Sequence, residues 1–416
     1  MKFAIRTFVL AALTITAAVS VYAQAPAPAQ APKACPCTVT LVPPVHGKVQ
    51  ISPALPADGK FPAGTVVTVT TTPDAGYALD SMWYSVPGRF GQMYHEAMTP
   101  AYKVTIDQDK RIGASFIEAA AVKDLVVTHD VVFAKPGVKP LKYDVFSPKG
   151  ARNLPIIVIV HGGGWAANDE DVMRGLAREL TKGGQFVVFS LDYRWAAKGD
   201  GDATGNTMAN IIEDVFGGIA HIMENAAKYG GDPARVGVTG DSAGGHLSAA
   251  ASLMTNMIVS RGFGKTPGVF EFMPSYLPKG KTAEQVRDEM LKAIKAAAPS
   301  YGVFGGSLLN PYSDEHANDQ AWKDAIAPLA HIPAATERPV PQFLVRGTND
   351  RLIQDAAVKE FVDALVKAGQ RAEYVQVGGA GHAFFDWKPD EATKATFAKY
   401  GVYYAAAMKA FFLSVL

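Results

Sequence analysis

The chain has little that would commit it to a metal, a nucleic acid or a membrane. Cysteine is nearly absent, with two in 416 residues. Cys35 and Cys37 are separated by one proline, so a disulfide between them would close a very small, strained ring. A Cys-x-Cys pair can hold a soft metal, but no histidine or further cysteine sits nearby, and no metal or organic cofactor is expected. An excess of either charge is also missing. Forty basic residues face 39 acidic ones, for a net charge of +1. That argues against a nucleic-acid partner, which asks for a basic patch. The leading apolar run, Phe8 to Val21, is short for a membrane span. Lys2 and Arg6 precede it and Val21-Tyr22-Ala23 closes it, so residues 1–23 read as a secretory leader that is cleaved. The mature protein is then expected to be secreted or periplasmic, with no membrane span. No Leu-x-Gly-Cys motif precedes Cys35, which argues against a lipid anchor.

What is present points to two units. A chain of this length has room for them, and 48% hydrophobic residues are ample for packed cores. Residues 24–37 form a Pro/Ala-rich tether with no apolar set to bury. Residues 38–118 alternate as short strands with Pro and Gly between them, the pattern of a small all-β unit. The run Gly64 to Val69, then Gly76-Tyr77, Trp83 and the closing Arg111 to Phe116, resembles the divergent bacterial β-repeat of secreted surface proteins, in one copy. Its aromatics, Phe61, Tyr77, Trp83, Tyr84, Phe90 and Tyr94, read either as core and spacer or as a sugar-stacking face. Residues 119–124 read as a hinge, so this unit is expected to fold by itself.

From residue 125 to 416 apolar strands alternate with helices, which means a mostly parallel sheet covered on both faces, an α/β class. Ile156 to Val160 is a buried strand by its continuous β-branched run. Asp169 to Lys182 and Met208 to Tyr229 read as helices. Residues 257–289 hold Phe263, Phe270, Phe272 and Tyr276 in a long insertion. A lid, an acyl-pocket wall, a surface excursion and an oligomer contact all remain open for it.

Two motifs carry the chemistry. Gly240-Asp241-Ser242-Ala243-Gly244 follows a short apolar strand and opens a helix, the strand–turn–helix setting in which Gly-x-Ser-x-Gly presents a nucleophile. His161-Gly162-Gly163-Gly164-Trp165 follows the strand at Ile156 to Val160. Glycines there let backbone N–H groups of Gly163 and Gly164 turn toward an oxyanion, joined by that of Ala243. HGGGW, Asp192-Tyr193-Arg194 and GDSAGGH resemble the α/β-hydrolase esterases of the hormone-sensitive-lipase-like group. They resemble more closely the small secreted acetyl and feruloyl esterases that act on plant polysaccharides. The resemblance runs from about Leu125 to the C-terminus. It implies an α/β-hydrolase fold and a serine esterase with a small ester, polysaccharide or polyester ester as substrate.

A serine hydroxyl needs a base, and the base needs an orienting acid. The fold's chain order is Ser, acid, His. His382 lies in a glycine-rich loop after the strand Ala372 to Val377. His316 and His331 lack that placement. Asp350 ends the strand beginning at Gln342, while the runner-up Asp355 falls inside the next helix. The expected set is Ser242, Asp350 and His382. Asp241 reads as a turn residue. Trp165, Phe384, Phe385 and Trp387 flank the motifs, and substrate stacking and ordinary packing are both open for them. The alternatives are an aromatic-polyester or short-chain carboxylesterase, and a serine peptidase of the same fold. That peptidase usually carries a β-propeller, for which the N-terminal region is too short. An inert adhesion protein would not need the Ser, Asp and His together. The acyl group and the oligomeric state stay undetermined.

Overall fold

The computed structural model describes residues 36–306, 309 and 319–416. The leader, the tether up to Cys35, and His316 lie outside the described residues. The first unit is built from β1 (Cys37–Leu41), β2 (Gly47–Ser52), β3 (Lys60–Phe61), β4 (Thr65–Pro73), β5 (Tyr77–Gly88), β6 (Gly91–Ala97), β7 (Tyr102–Ile106) and β8 (Lys110–Glu118). They make one sheet in the order β3-β1-β8-β5-β6 and another in the order β2-β4-β7. Period-two patterning decides the faces. In β4, Val67 and Val69 are fully buried, while Val66, just before them on the opposite face, is half exposed. Their core also takes Phe61, Met82, Ile106 and Ile112. Gly88 pairs with Gly91, so the β5–β6 hairpin turns through Arg89 and Phe90 alone.

The second unit adds β9 (Leu125–Ala134), β10 (Leu141–Pro148), β11 (Leu154–Val160), β12 (Val187–Leu191), β13 (Gly231–Asp241), β14 (Ile294–Ser300), β15 (Gln342–Gly347) and β16 (Ala372–Val377). Its sheet runs β16-β15-β14-β13-β11-β12-β10-β9. The six strands from β16 to β12 are parallel, and β10 and β9 are antiparallel. The helices are α1 (Arg174–Thr181), α2 (Met208–Asn225), α3 (Ala243–Leu253), α4 (Ala283–Ala293), α5 (Gln320–Ala325), α6 (Asp355–Lys367), α7 (Glu391–Thr396) and α8 (Val402–Leu413). Ile156 to Val160 are all at 0% exposure, as their β-branched run demands of a central strand.

Local chemistry sets the helix ends. Thr207 and Asn210 form a capping box at the start of α2, and Gly230 in the left-handed region ends the turn that follows it. The single helix expected over Asp169 to Lys182 is instead a tight 3-10 turn, Glu170–Met173, followed by α1. At the junction the Asp171 carbonyl accepts both the Arg174 backbone N–H and, at 2.9 Å, the Arg174 guanidinium. The insertion forms a strap along α2. The Glu213 carboxylate accepts the Met273 N–H at 2.9 Å and the Phe263 N–H at 3.4 Å, and its carbonyl accepts the Ser275 N–H at 3.0 Å. Gly217 makes the approach possible, since a Cβ there would lie 2.5 Å from Ser275 Oγ.

Each unit has its own apolar core. A buried polar seam lies between them. Asp80 on β5 is buried and accepts from Arg174 Nε and Nη2 at 3.1 Å each, from Arg178 at 2.8 Å and from Trp387 Nε1 at 2.9 Å. Arg174 also donates to Glu96 at 2.6 Å, and Lys394 to Ser115 Oγ at 2.6 Å. Burial alone would push the Asp80 carboxyl up, yet the two guanidiniums hold it well below the usual carboxylate range. Charges desolvated on both sides of a seam need each other, so the two units share one polar core between their apolar ones.

Candidate active site

The site assembles at the carboxyl ends of β13, β15, β16 and β11. β13 ends at Asp241 and α3 begins at Ala243, leaving Ser242 alone to make the turn. It does so at φ 53° and ψ −114°, a backbone conformation L-residues rarely adopt. The Ser242 N–H donates to the Ser300 carbonyl at 2.9 Å, and the Ser242 carbonyl accepts the His246 N–H at 3.1 Å, so both neighbours fix the strain. Gly244 is required by contact: a Cβ there would lie 1.9 Å from the Val160 carbonyl oxygen.

His382 Nε2 is 2.8 Å from Ser242 Oγ, and His382 Nδ1 is 2.8 Å from Asp350 Oδ2. The other Asp350 oxygen accepts the Leu352 and Ile353 N–H groups at 2.9 Å each. Burial raises the affinity of the Asp350 carboxyl for its proton, but His382 and these N–H groups outweigh it, so its pKa falls below the ordinary value. The loops carrying the two residues are tied together. The Asn349 N–H donates to the Ala380 carbonyl at 2.9 Å, and the Gly379 N–H donates to Thr348 Oγ1 at 2.8 Å. Buried Arg346 braces the acid's loop by donating to the carbonyls of Asp350 and Ile353.

The glycine loop lies against the same turn. The Gly162 N–H donates to Asp241 Oδ1 at 2.7 Å, which pins His161-Gly162-Gly163-Gly164 beside Ser242. Gly163 takes φ 125°, and a Cβ on it would meet the Ala167 carbonyl oxygen at 2.1 Å. Ala243 is the first residue of α3, where backbone N–H groups have no helical acceptor. Gly163 and Gly164 thus follow a residue pinned to the Ser242 turn, and Ala243 directly follows Ser242. Behind the loop, His161 stacks on Tyr193 with centroids 4.2 Å apart, and Tyr193 Oη donates to the His161 carbonyl at 2.9 Å. Asp192 accepts from Lys139 at 3.0 Å and reaches His161 Nε2 at 3.3 Å.

The aromatic candidates take other places. Trp165 is 5% exposed, and its Nε1 donates to His246 Nδ1 at 3.2 Å. His246 donates in turn from Nε2 to the Ile326 carbonyl at 2.8 Å, and burial pushes its pKa down to about 4, so the imidazole is neutral. Phe384 and Phe385 are fully buried among Tyr301 and Tyr404. Trp387 turns into the seam, under Arg178 and against Asp80. For Trp165, Phe384 and Trp387, where the sequence leaves substrate stacking and packing both open, the structure shows packing: burial covers two of the rings, and a buried carboxylate holds the third.

Asp241 does more than make a turn. Burial, then the neighbouring Asp386, pushes its pKa up to about 7, against the pull of His382 and of the Gly162 N–H. Its signal in the sequence was slight, a single acid between glycine and serine. Asp80, Arg174 and Arg178 were missed altogether, because residues 94 or more apart share no local pattern. Among the described residues no helix is long and apolar enough to cross a membrane.

The chain is similar to several known proteins. The BD-FAE family model matches residues 143–271. Carboxylesterase NlhH of Mycobacterium tuberculosis is 36% identical over 138 residues, 33% of this chain and 40% of that protein. Carboxylic ester hydrolase LipN of the same species is 33% identical over 248 residues, 58% of this chain and 60% of that protein. The chain thus spans about half the length of these curated relatives. Among solved structures, a truncated carbohydrate esterase from gut microbiota superposes with a TM-score of 0.51 at 21% identity, over 70% of this chain and 95% of that one. Together with the mixed eight-stranded sheet, that likeness identifies the fold from residue 125 onward as the α/β-hydrolase fold.

Proposed function

We propose that the chain is a secreted serine carboxylic ester hydrolase acting on acetyl or feruloyl esters of plant polysaccharides. One observation carries the reaction type: Ser242, His382 and Asp350 stand in hydrogen-bonded series at 2.8 Å and 2.8 Å, with the serine on a strained turn beside a glycine loop. His382 takes the Ser242 proton as Oγ attacks the ester carbonyl, then returns it to the departing alcohol. Asp350 holds the imidazole in the required tautomer and stabilises its charged form. The N–H groups of Gly163, Gly164 and Ala243 receive the negative charge that develops on the carbonyl oxygen. Water, deprotonated by His382, releases the acid and restores Ser242. Every step uses this chain's own groups.

The substrate class draws on the HGGGW and GDSAGGH motifs and on the BD-FAE match over residues 143–271. The insertion supports it as well, being a strap held along α2 by Glu213 and not a continuous amphipathic helix of the kind that opens at an oil surface. The leader at residues 1–23 supports export. The test is kcat/KM across acetate, ferulate and octanoate esters. Preference for acetate or ferulate is expected. Clear preference for acyl chains of about eight carbons or more overturns the substrate class.

A further inference from the structure

Trp165, Phe384 and Phe385 are buried, and Trp387 is committed to the seam by Asp80. Another ring is open. Phe90, at the tip of the β5–β6 hairpin, is 61% exposed. Its edge rests on the glycine loop of the second unit: a Cβ on Gly164 would lie 3.2 Å from Phe90 Cζ and 3.5 Å from Cε2. The first unit therefore reaches over the seam and places an aromatic side chain beside a candidate oxyanion residue.

The hairpin is held there. Asp80 lies on β5, the strand that leads to the tip, and Glu96 lies on β6, the strand that leaves it. Asp80 binds Arg174 and Arg178 of α1, the helix that follows the glycine loop, and Trp387, five residues beyond His382. Glu96 binds Arg174. One buried cluster thus ties the β5–β6 pair to α1 and to the segment after His382. Leaving a phenyl ring in water costs burial energy, and a two-residue turn between glycines has no packing need for it. Arg89 adds a guanidinium 5.2 Å from the Phe90 centroid.

We infer that Phe90 is a substrate-contacting wall of the ester cleft, supplied by the N-terminal β unit, and that it selects esters bearing a flat aromatic or sugar ring. This rests on the serine-esterase reading. Ring stacking is the shared chemistry; whether the ring belongs to the acid or to the alcohol is for the substrates to distinguish. Because Phe90 is exposed, Phe90→Ala leaves both apolar cores and the Asp80 cluster intact.

The experiment compares the full-length wild type, Phe90→Ala and Phe90→Trp on ethyl acetate, methyl ferulate and an acetylated xylo-oligosaccharide. For Phe90→Ala, the loss in kcat/KM on at least one ring-bearing ester should exceed the loss on ethyl acetate by about tenfold, mainly through KM. Phe90→Trp should recover most of it. An equal loss on all three esters, or no loss on either ring-bearing one, overturns the inference while the wild type's own turnover keeps the esterase reading. A wild type that hydrolyses none of the three and takes no fluorophosphonate label fails at the earlier step and overturns both.

Discussion

Ser242 and Asp241 show how much of this site is decided by single residues. Ser242 occupies its strained turn because the flanking backbone leaves no alternative: Gly244 passes against the Val160 carbonyl, and the strand before it ends in the sheet. Asp241 is the less obvious neighbour. It fixes the glycine loop through the Gly162 N–H, and burial with Asp386 nearby raises its pKa from 3.8 to about 7. The folded protein then keeps a proton that the unfolded chain releases near pH 4. The unfolded state binds fewer protons across this window, so stability falls as pH rises from about 4 to 7. Asp241→Asn removes the titration and still offers an oxygen to Gly162. Its melting temperature relative to wild type should improve by about 2 °C or more between pH 5 and pH 8. A constant or shrinking difference in paired thermal melts would contradict this assignment.

At the scale of elements, local pattern made part of the structure readable. β11 was legible because five β-branched residues in a row suit only a strand buried on both faces. The turn at Ser242 was legible because strand, small residues and helix follow within a dozen positions. Asp350 and His382 were singled out because each lies in a turn-rich segment just after an apolar strand. The structure brings those two segments together through Asn349, Ala380, Thr348 and Gly379. The break in the helix at Arg174 was not legible. The guanidinium at that junction serves Asp171 within its own turn and Asp80 on a distant strand. That strand-to-helix connection sets a measurable cost. Asp80→Ala leaves Arg174 and Arg178 buried with their main counter-charge gone, and should destabilise the chain by about 3–5 kcal/mol in denaturant unfolding. A loss under about 1 kcal/mol would mean that the seam is solvated and its ions do not depend on one another.

For the whole molecule, the seam ties the N-terminal strands to the chemistry. Composition and turn spacing distinguish an all-β unit from an α/β unit, and two separate apolar cores exist. Nothing local announces that β5 carries the carboxylate on which α1 and the loop after His382 both rely. Nor does the sequence alone mark Phe90 apart from the other aromatics of that unit. Long-range pairing of charges is invisible to periodicity, because it depends on which faces meet after both units have formed. The central claim concerns Ser242, and one measurement tests it most directly. Wild type and Ser242→Ala are treated with a fluorophosphonate, the modified peptide is located by mass spectrometry, and ester turnover is measured on the same samples. The account predicts a single adduct on Ser242, lost in the variant together with turnover, which falls on the order of a millionfold. An adduct on another residue, or a variant that keeps hydrolysing at a rate near wild type, would contradict it.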